Sequence, residues 1–355
     1  MSADLSLDHI CPAPVVRARS GWPGGALWLL AGLAVAFGAV PLVGSDYLFS
    51  AVLVPLLVFS LAGLGLNMLT GSAGQLSVGS AAFMAIGAFA TYNFALRLPW
   101  LPLPMSFALG GLVAALFGVL VGLPSLRIKG FYLIVSTLAA QFFVQWVFVK
   151  FGWFSNFNAS GVISAPKLLV AGQDFSSPAG RYVFTLATVG VLTWLARNLM
   201  RSETGRNWMA VRDMDTAAAV IGISTGRVKL LAFAVSSFYL GIAGALWAFA
   251  YVGTVEPHGF DLSRSFQILF IIIIGGLGSL WGSFIGAAFI VLFPVLLSVV
   301  ASNYLGGLID PGNVDNAQKI VFGALIIVFL IKEPEGLARL LRGAAQRIRA
   351  WPLRP

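Results

Sequence analysis

Long apolar runs separated by short polar stretches organise this chain. Runs at 26–43, 47–66, 78–96, 104–123, 131–149, 181–199, 229–252, 266–279, 282–300 and 317–332 each read as a helix that crosses or enters a bilayer. The block 266–300 is apolar throughout, and as one helix it would extend about 52 Å, too far for a single crossing. Gly275-Gly276-Leu277-Gly278-Ser279 interrupts it, which predicts two helices joined by a turn at the glycines. The run at 317–332 is short for a span. The first run follows Arg17 and Arg19, and no convincing small-residue cleavage site precedes Gly44-Ser45-Asp46, so it reads as a retained span and not a signal peptide. The pattern predicts an all-α polytopic membrane protein with about 8–10 transmembrane helices.

One polar interruption, 197–229, stands out. It holds Arg197, Arg201, Arg206, Arg212, Arg227 and Lys229 between two apolar runs. Within it Trp208, Val211, Met214, Ala218 and Ile221 recur at steps of three and four, which trace one stripe of an amphipathic helix. Arg206, Arg212, Asp213 and Asp215 lie on the other face. Gly222 falls where a helix C-terminus favours glycine, and Thr225 is placed to cap the helix that follows. The plainer reading of such a helix is that it rests in the lipid interface. Its mixed charge and its alanines favour docking into a protein groove.

Composition agrees with the pattern. The 355 residues are 59% hydrophobic and 10% charged, with mean hydropathy +0.91. The 40 glycines suit close helix packing in a membrane. The net charge of +9 raises nucleic-acid binding as an option, but its distribution argues against it. With a cytoplasmic N-terminus, sixteen cations and seven acids fall inside and six of each outside. That is the asymmetry expected from membrane topology. The organisation is then a cytoplasmic tail (1–25), a transmembrane domain (26–332) containing the polar loop 200–228, and a basic cytoplasmic tail (333–355). The outer segment 150–180, aromatic and amide-rich from Phe151 to Gly161, reads either as an interfacial belt or as a surface for an external partner. Cys11 is the one cysteine, and His9 and His258 are far apart. No disulfide, metal cluster or cofactor is expected.

Several segments carry a family resemblance. Arg212-Asp213-Met214-Asp215-Thr216-Ala217-Ala218-Ala219-Val220-Ile221-Gly222-Ile223 resembles the coupling-loop motif of ABC importer permeases, an acidic-Ala-Ala stretch followed after three residues by Gly. Gly65-Leu-Asn-Met-Leu-Thr-Gly71, Gly74-Gln-Leu-Ser-Val-Gly79 with Ala82-Phe-Met-Ala-Ile-Gly87, Leu126-Arg-Ile-Lys-Gly130, Gly275-Gly-Leu-Gly-Ser-Leu-Trp-Gly282 and Pro334-Glu-Gly-Leu337 extend the likeness over most of 60–340. The ordered set is similar to the branched-chain amino-acid permeases of the LivM type. It departs from them at Thr216, where the general motif has Glu, and at Ser80, where many relatives have His. The resemblance implies a multi-pass inner-membrane protein with both termini cytoplasmic. Its implied partners are two ABC ATPase subunits, a second permease subunit, a periplasmic binding protein and a small solute. It assigns ATPase coupling to Arg212, Asp213, Asp215, Ala217, Ala218 and Gly222. Branched-chain amino acids are the family's leading cargo; related permeases carry urea, short amides or aromatic carboxylates.

The chain lacks any Gly-Lys dipeptide, so it holds no P-loop and cannot cradle ATP in that way. Polar uncharged residues in or beside the spans are the candidates for a solute path: Asn67, Gln75, Ser77, Ser80, Ser136, Thr137, Gln141 and Gln145. Gln141 and Gln145 share a helix face. The plainer reading of each is a packing residue whose polar group serves nearby backbone. The glycine-rich stretch 70–80 is not expected to be regular helix, and it echoes 275–289, which points to a pseudo-repeat around the path. No acid or base is expected deep in a span. That counts against an ion-driven carrier, although the glycine break at 275–279 keeps that option open, as it does a membrane scaffold without a path.

Overall fold

The computed structural model describes residues 45–126, 130–158, 161–166, 168–170 and 172–304, with 320, 323, 324, 327, 336–338 and 340 as single positions. The expected span at 26–43, most of that at 317–332, the tail 1–25 and most of 333–355 lie outside the described residues. The described chain is almost entirely helical. Its helices are α1 (Leu48–Ser72), α2 (Ser80–Arg97), α3 (Leu103–Gly122), α4 (Phe131–Lys150), α5 (Pro178–Arg201), α6 (Glu203–Asp213), α7 (Asp215–Val220), α8 (Thr225–Val252), α9 (Leu262–Gly275) and α10 (Leu280–Tyr304). Of these, α1, α3, α4, α5 and α8 are long and apolar enough to cross a membrane. The 35-residue apolar block does divide at the glycines, into α9 and α10.

Helices α1 and α8 form the centre. Nearly every side chain of Val54–Asn67 in α1 is buried, as is α8 from Tyr239 to Ala250. Both end in π-helical turns, Met68–Ser72 and Trp247–Val252. Helices α2 and α3 close around α8 through small residues. A Cβ on Gly87 would fall on the Gly241 backbone, and one on Gly244 would fall on Met84. Gly118 meets Ser237 in the same way. These contacts let the backbones approach closely, which is how helices associate where lipid removes the hydrophobic drive. The outward faces of α4 and α5 stay apolar and exposed, with Phe142, Phe143, Trp146, Val191 and Trp194 among them, as a lipid-facing surface requires.

The segment 150–180 is tied into the fold. Ile163–Ser164 (β1) pairs antiparallel with Thr254–Val255 (β4), directly after α8. Leu169–Val170 (β2) and Gln173–Asp174 (β3) form a small hairpin. The guanidinium of Arg97 lies 3.6 Å from the Trp153 ring centroid and donates to the Trp153 carbonyl at 3.0 Å.

Two expectations need correction. The amphipathic stripe predicted for 205–226 is not one helix: Met214, at φ −155° and ψ 96°, is extended and separates α6 from α7. Met214 and Ile221, assigned to the apolar stripe, are 62% and 74% exposed, whereas Trp208, Val211 and Ala218 are buried. The periodicity survived the break because one extended residue inside a three-and-four pattern leaves the pattern intact. The N-cap of α8 is Ser224, without a side-chain capping bond, and Thr225 is already helical.

The small-residue contact is a point of high sensitivity. Gly87→Leu should lower thermal stability in detergent, followed by tryptophan fluorescence, by about 1–3 kcal/mol or more from overpacking. Gly190→Leu, on the open face of α5 with nothing near its Cβ position, should leave the transition unchanged.

Candidate functional site

The polar pair α6–α7 is pinned to the two central helices. Trp208 is fully buried and donates through Nε1 to the Val228 carbonyl in α8 at 3.1 Å. Lys229 Nζ, also in α8, reaches Asp215 Oδ2 at 2.8 Å. Arg212 Nη1 donates to the Gly71 carbonyl at the end of α1, at 2.8 Å. Its Nε and Nη2 face Asp213 Oδ1 at 2.9 and 2.8 Å, which orients the guanidinium. Helix α7 then ends in a Schellman turn. Ile223 N donates to Ala218 O at 3.0 Å and Gly222 N to Ala219 O at 3.1 Å, with Gly222 at φ +90°. That backbone conformation is why glycine suits position 222. Ala218 faces inward, while Ala217, Met214, Val220 and Ile221 face solvent.

The Gly71 carbonyl belongs to a second junction. A Cβ on Gly71 would collide with the Gly278 amide and with the Asn67 side chain. Asn67, buried one turn earlier, serves the glycine turn after α9. Its Oδ1 accepts from Gly278 N at 2.7 Å, and its Nδ2 lies 2.9 Å from Ser279 O, 3.1 Å from Ser283 Oγ and 3.4 Å from Gly276 O. The two glycine-broken segments that echo each other in sequence thus touch, and Arg212 joins the contact from the polar pair.

Residues 73–79 are irregular and mostly buried between α1 and α2. The start of α2 lacks a capping side chain of its own, so other helices supply the acceptors. Ala81 N donates to Ser265 Oγ (2.9 Å) in α9, and Ala82 N to Gln141 Oε1 (2.6 Å) in α4. Gln141 Nε2 donates onward to Phe260 O at 2.8 Å, and Val78 N donates to Thr137 Oγ1 at 3.1 Å. Asn67 and Gln141 are therefore backbone clamps, the plainer of the two readings offered for path residues. Ser265, Ser279 and Ser283 complete these clamps. Sequence reasoning missed them, because a serine at a helix end carries no sign of which distant amide it serves.

The remaining path candidates differ. Gln75 is buried, and neither atom of its carboxamide has a hydrogen-bond partner. The Ser80 hydroxyl is likewise buried without one. Ser77 is buried beside the Gly79 amide at 3.4 Å, and Gln145 is half-buried one turn beyond Gln141. Among the described residues no group of three His, Cys, Asp or Glu side chains could hold a metal ion.

Residues 48–330 match the family described as branched-chain amino acid transport system / permease component. The chain belongs to this family. The permease is 30% identical over 312 residues to the high-affinity branched-chain amino acid transport system permease protein LivM of Escherichia coli K12, covering 81% of this chain and 69% of that protein. It is 29% identical over 204 residues to the autoinducer 2 import system permease protein LsrC of Enterobacter sp. 638, covering 56% of each. It is 25% identical over 209 residues to the nucleoside ABC transporter permease protein NupC of Lactococcus lactis, covering 53% of this chain and 64% of that one. No solved structure matches. The polytopic helical fold and the family agree, so the permease is a multi-pass membrane transport component.

The two glutamines separate by stability. Gln141→Leu leaves the Phe260 carbonyl and the Ser265 hydroxyl without their Gln141 partner, while the Ala82 amide keeps the Gly79 carbonyl at 3.1 Å, and should cost about 1–3 kcal/mol. Gln75→Leu removes a buried amide that satisfies nothing among the described residues, and should be neutral or stabilising. Thermal unfolding of the two variants in detergent checks the contrast.

Proposed function

We propose that this chain is a translocation subunit of an ABC importer for branched-chain amino acids in the bacterial inner membrane. ATP is hydrolysed by two partner ATPase subunits. A second permease of the same class completes the pathway, and a periplasmic binding protein delivers the solute. The N- and C-termini and the α6–α7 pair face the cytoplasm. The observation that carries this reading is the double attachment of the polar pair, to α1 through Arg212 and Gly71 and to α8 through Asp215 and Lys229. A load placed on α6–α7 reaches both central helices through short polar links rather than through a slack loop.

The outer face of the pair supports a docked partner. Met214, Val220 and Ile221 are exposed around Ala217 and Gly222, next to a run of alanines that leaves room for a close fit. Arg212, Asp213, Asp215 and Ala218 hold the pair to the membrane helices, and Gly222 ends it. The coupling set thus divides between groups that grip the permease and groups that meet the ATPase. The LivM relatives support amino acids as cargo, and among the path candidates Gln75 and Ser80 are buried polar groups with capacity left for a passing solute.

Two measurements test this. Val220→Asp with Ile221→Asp alters side chains that face away from the fold, so membrane insertion and yield should match wild type. ATP-driven leucine uptake with the full set of subunits should fall more than tenfold; unchanged uptake removes the coupling assignment. In a Cys11→Ser background, Thr216→Cys should react with a membrane-impermeant maleimide only after the cytoplasmic side is opened. Labelling from the outer side of intact cells reverses the orientation.

A further inference from the structure

Arg264 is partly buried among aromatic side chains. It lies in the first turn of α9, eleven positions before Gly275, which corresponds to about 16 Å along the helix. The far end of α9 meets Gly71, the residue bonded to Arg212. Phe59, beside Arg264, precedes Gly71 on α1 by twelve positions, or about 18 Å. Both counts put the guanidinium about 16–18 Å from the junction of Gly71 with the α9–α10 turn.

Its surroundings are unusual for a cation. The guanidinium carbon lies 4.1 Å from the centroid of the Trp247 ring and 5.5 Å from that of Phe59, and both rings are buried. Nη1 donates to the neutral amide of Gln267 at 2.9 Å. Nε is buried and has no hydrogen-bond partner among the described residues. Among the described residues no carboxylate forms an ion pair with the side chain. Asp261 is the nearest acid in sequence, and its Oδ1 instead accepts from the Arg264 backbone amide at 3.0 Å, capping α9. The aromatic rings offset part of the cost of holding a desolvated cation, and the Asp261 carboxylate acts on it from beyond ion-pair distance. Ionisable groups inside a membrane ordinarily have a partner or face a pathway.

We infer that Arg264 is a carboxylate-binding site of the permease, with Trp247 and Phe59 holding the guanidinium open to an incoming anion. A carboxylate would take the free Nε–H and an adjacent Nη in the two-pronged geometry that guanidinium favours. Two helices begin at this level, α9 beside Arg264 and α2 beside Ser265, and helix N-termini favour negative charge. The inference builds on the proposed function, and it selects among cargoes. Branched-chain amino acids and aromatic carboxylates carry the group; urea, amides and nucleosides do not.

The test uses the full chain in lipid nanodiscs and two ligands of equal shape, isovalerate and isovaleramide, with leucine as the third. Calorimetry should show isovalerate and leucine binding and isovaleramide binding at least about tenfold more weakly. Arg264→Gln should weaken the two carboxylates by at least about tenfold and leave isovaleramide unchanged. Arg264→Lys should fall between, as a point charge without the planar fork. Equal binding of the acid and its amide, unaltered carboxylate binding in Arg264→Gln, or no carboxylate binding to wild type each overturns the site. If Arg264→Gln does not fold, the comparison of acid with amide on wild type decides alone. Carboxylate binding through Arg264 in a system that shows no ATP-driven leucine uptake would uphold the site and reject the branched-chain cargo.

Discussion

A backbone that leaves helical geometry inside a bilayer must find hydrogen bonds within the protein, because no water is there to supply them. This permease breaks its helices at two such places, after Ser72 and after Gly275, and most of its buried polar chemistry answers that need. Asn67 carries the turn at 276–279. Gln141, Ser265 and Thr137 carry the amides at 78–82. Each clamp comes from a different helix than the one it satisfies. The breaks therefore weld α1, α2, α4, α9 and α10 together where an unbroken bundle would need only van der Waals contact.

The welds are unequal in strength, and the difference bears on motion. Asn67 and Gln141 sit in dry surroundings, where losing a partner leaves an amide or carbonyl unsatisfied. The links from α6–α7 are wetter: Asp213 is exposed, and the Lys229–Asp215 pair is only partly covered. The exposed Arg212–Asp213 pair contributes little to stability. Together the links fix which helices the polar pair touches. Trp208, fully buried against α8, supplies the firm anchor between them.

Hydropathy and glycine placement made most of this architecture legible from sequence. The division at Gly275–Ser279 and the irregular stretch before Ser80 follow from glycines in an apolar context, and both are present. The break at Met214 was hidden because its cause is tertiary: α6 and α7 turn so that Trp208 and Ala218 bury against α8 while Met214 and Ile221 do not. A periodic stripe records side-chain type and cannot separate a buried methionine from one displayed to a partner. The roles of Gln141 and Asn67 were hidden for a related reason. Their partners lie 59 to 216 residues away, and a polar side chain in a span looks the same whether it faces a solute or a broken backbone.

Helix α9 joins two parts of the fold. One end carries Arg264 against Trp247 and Phe59; the other carries the glycine turn locked to Asn67 and Gly71. A fourteen-residue helix is stiff over that length. Arg212 sits on the Gly71 carbonyl at that turn. The aromatic cleft at Arg264 and the polar pair are thus joined through α9, the Asn67 junction and Arg212. The sequence spends its glycines there because only residues without a Cβ let α1 and the α9–α10 turn meet closely enough for Asn67 to bridge them.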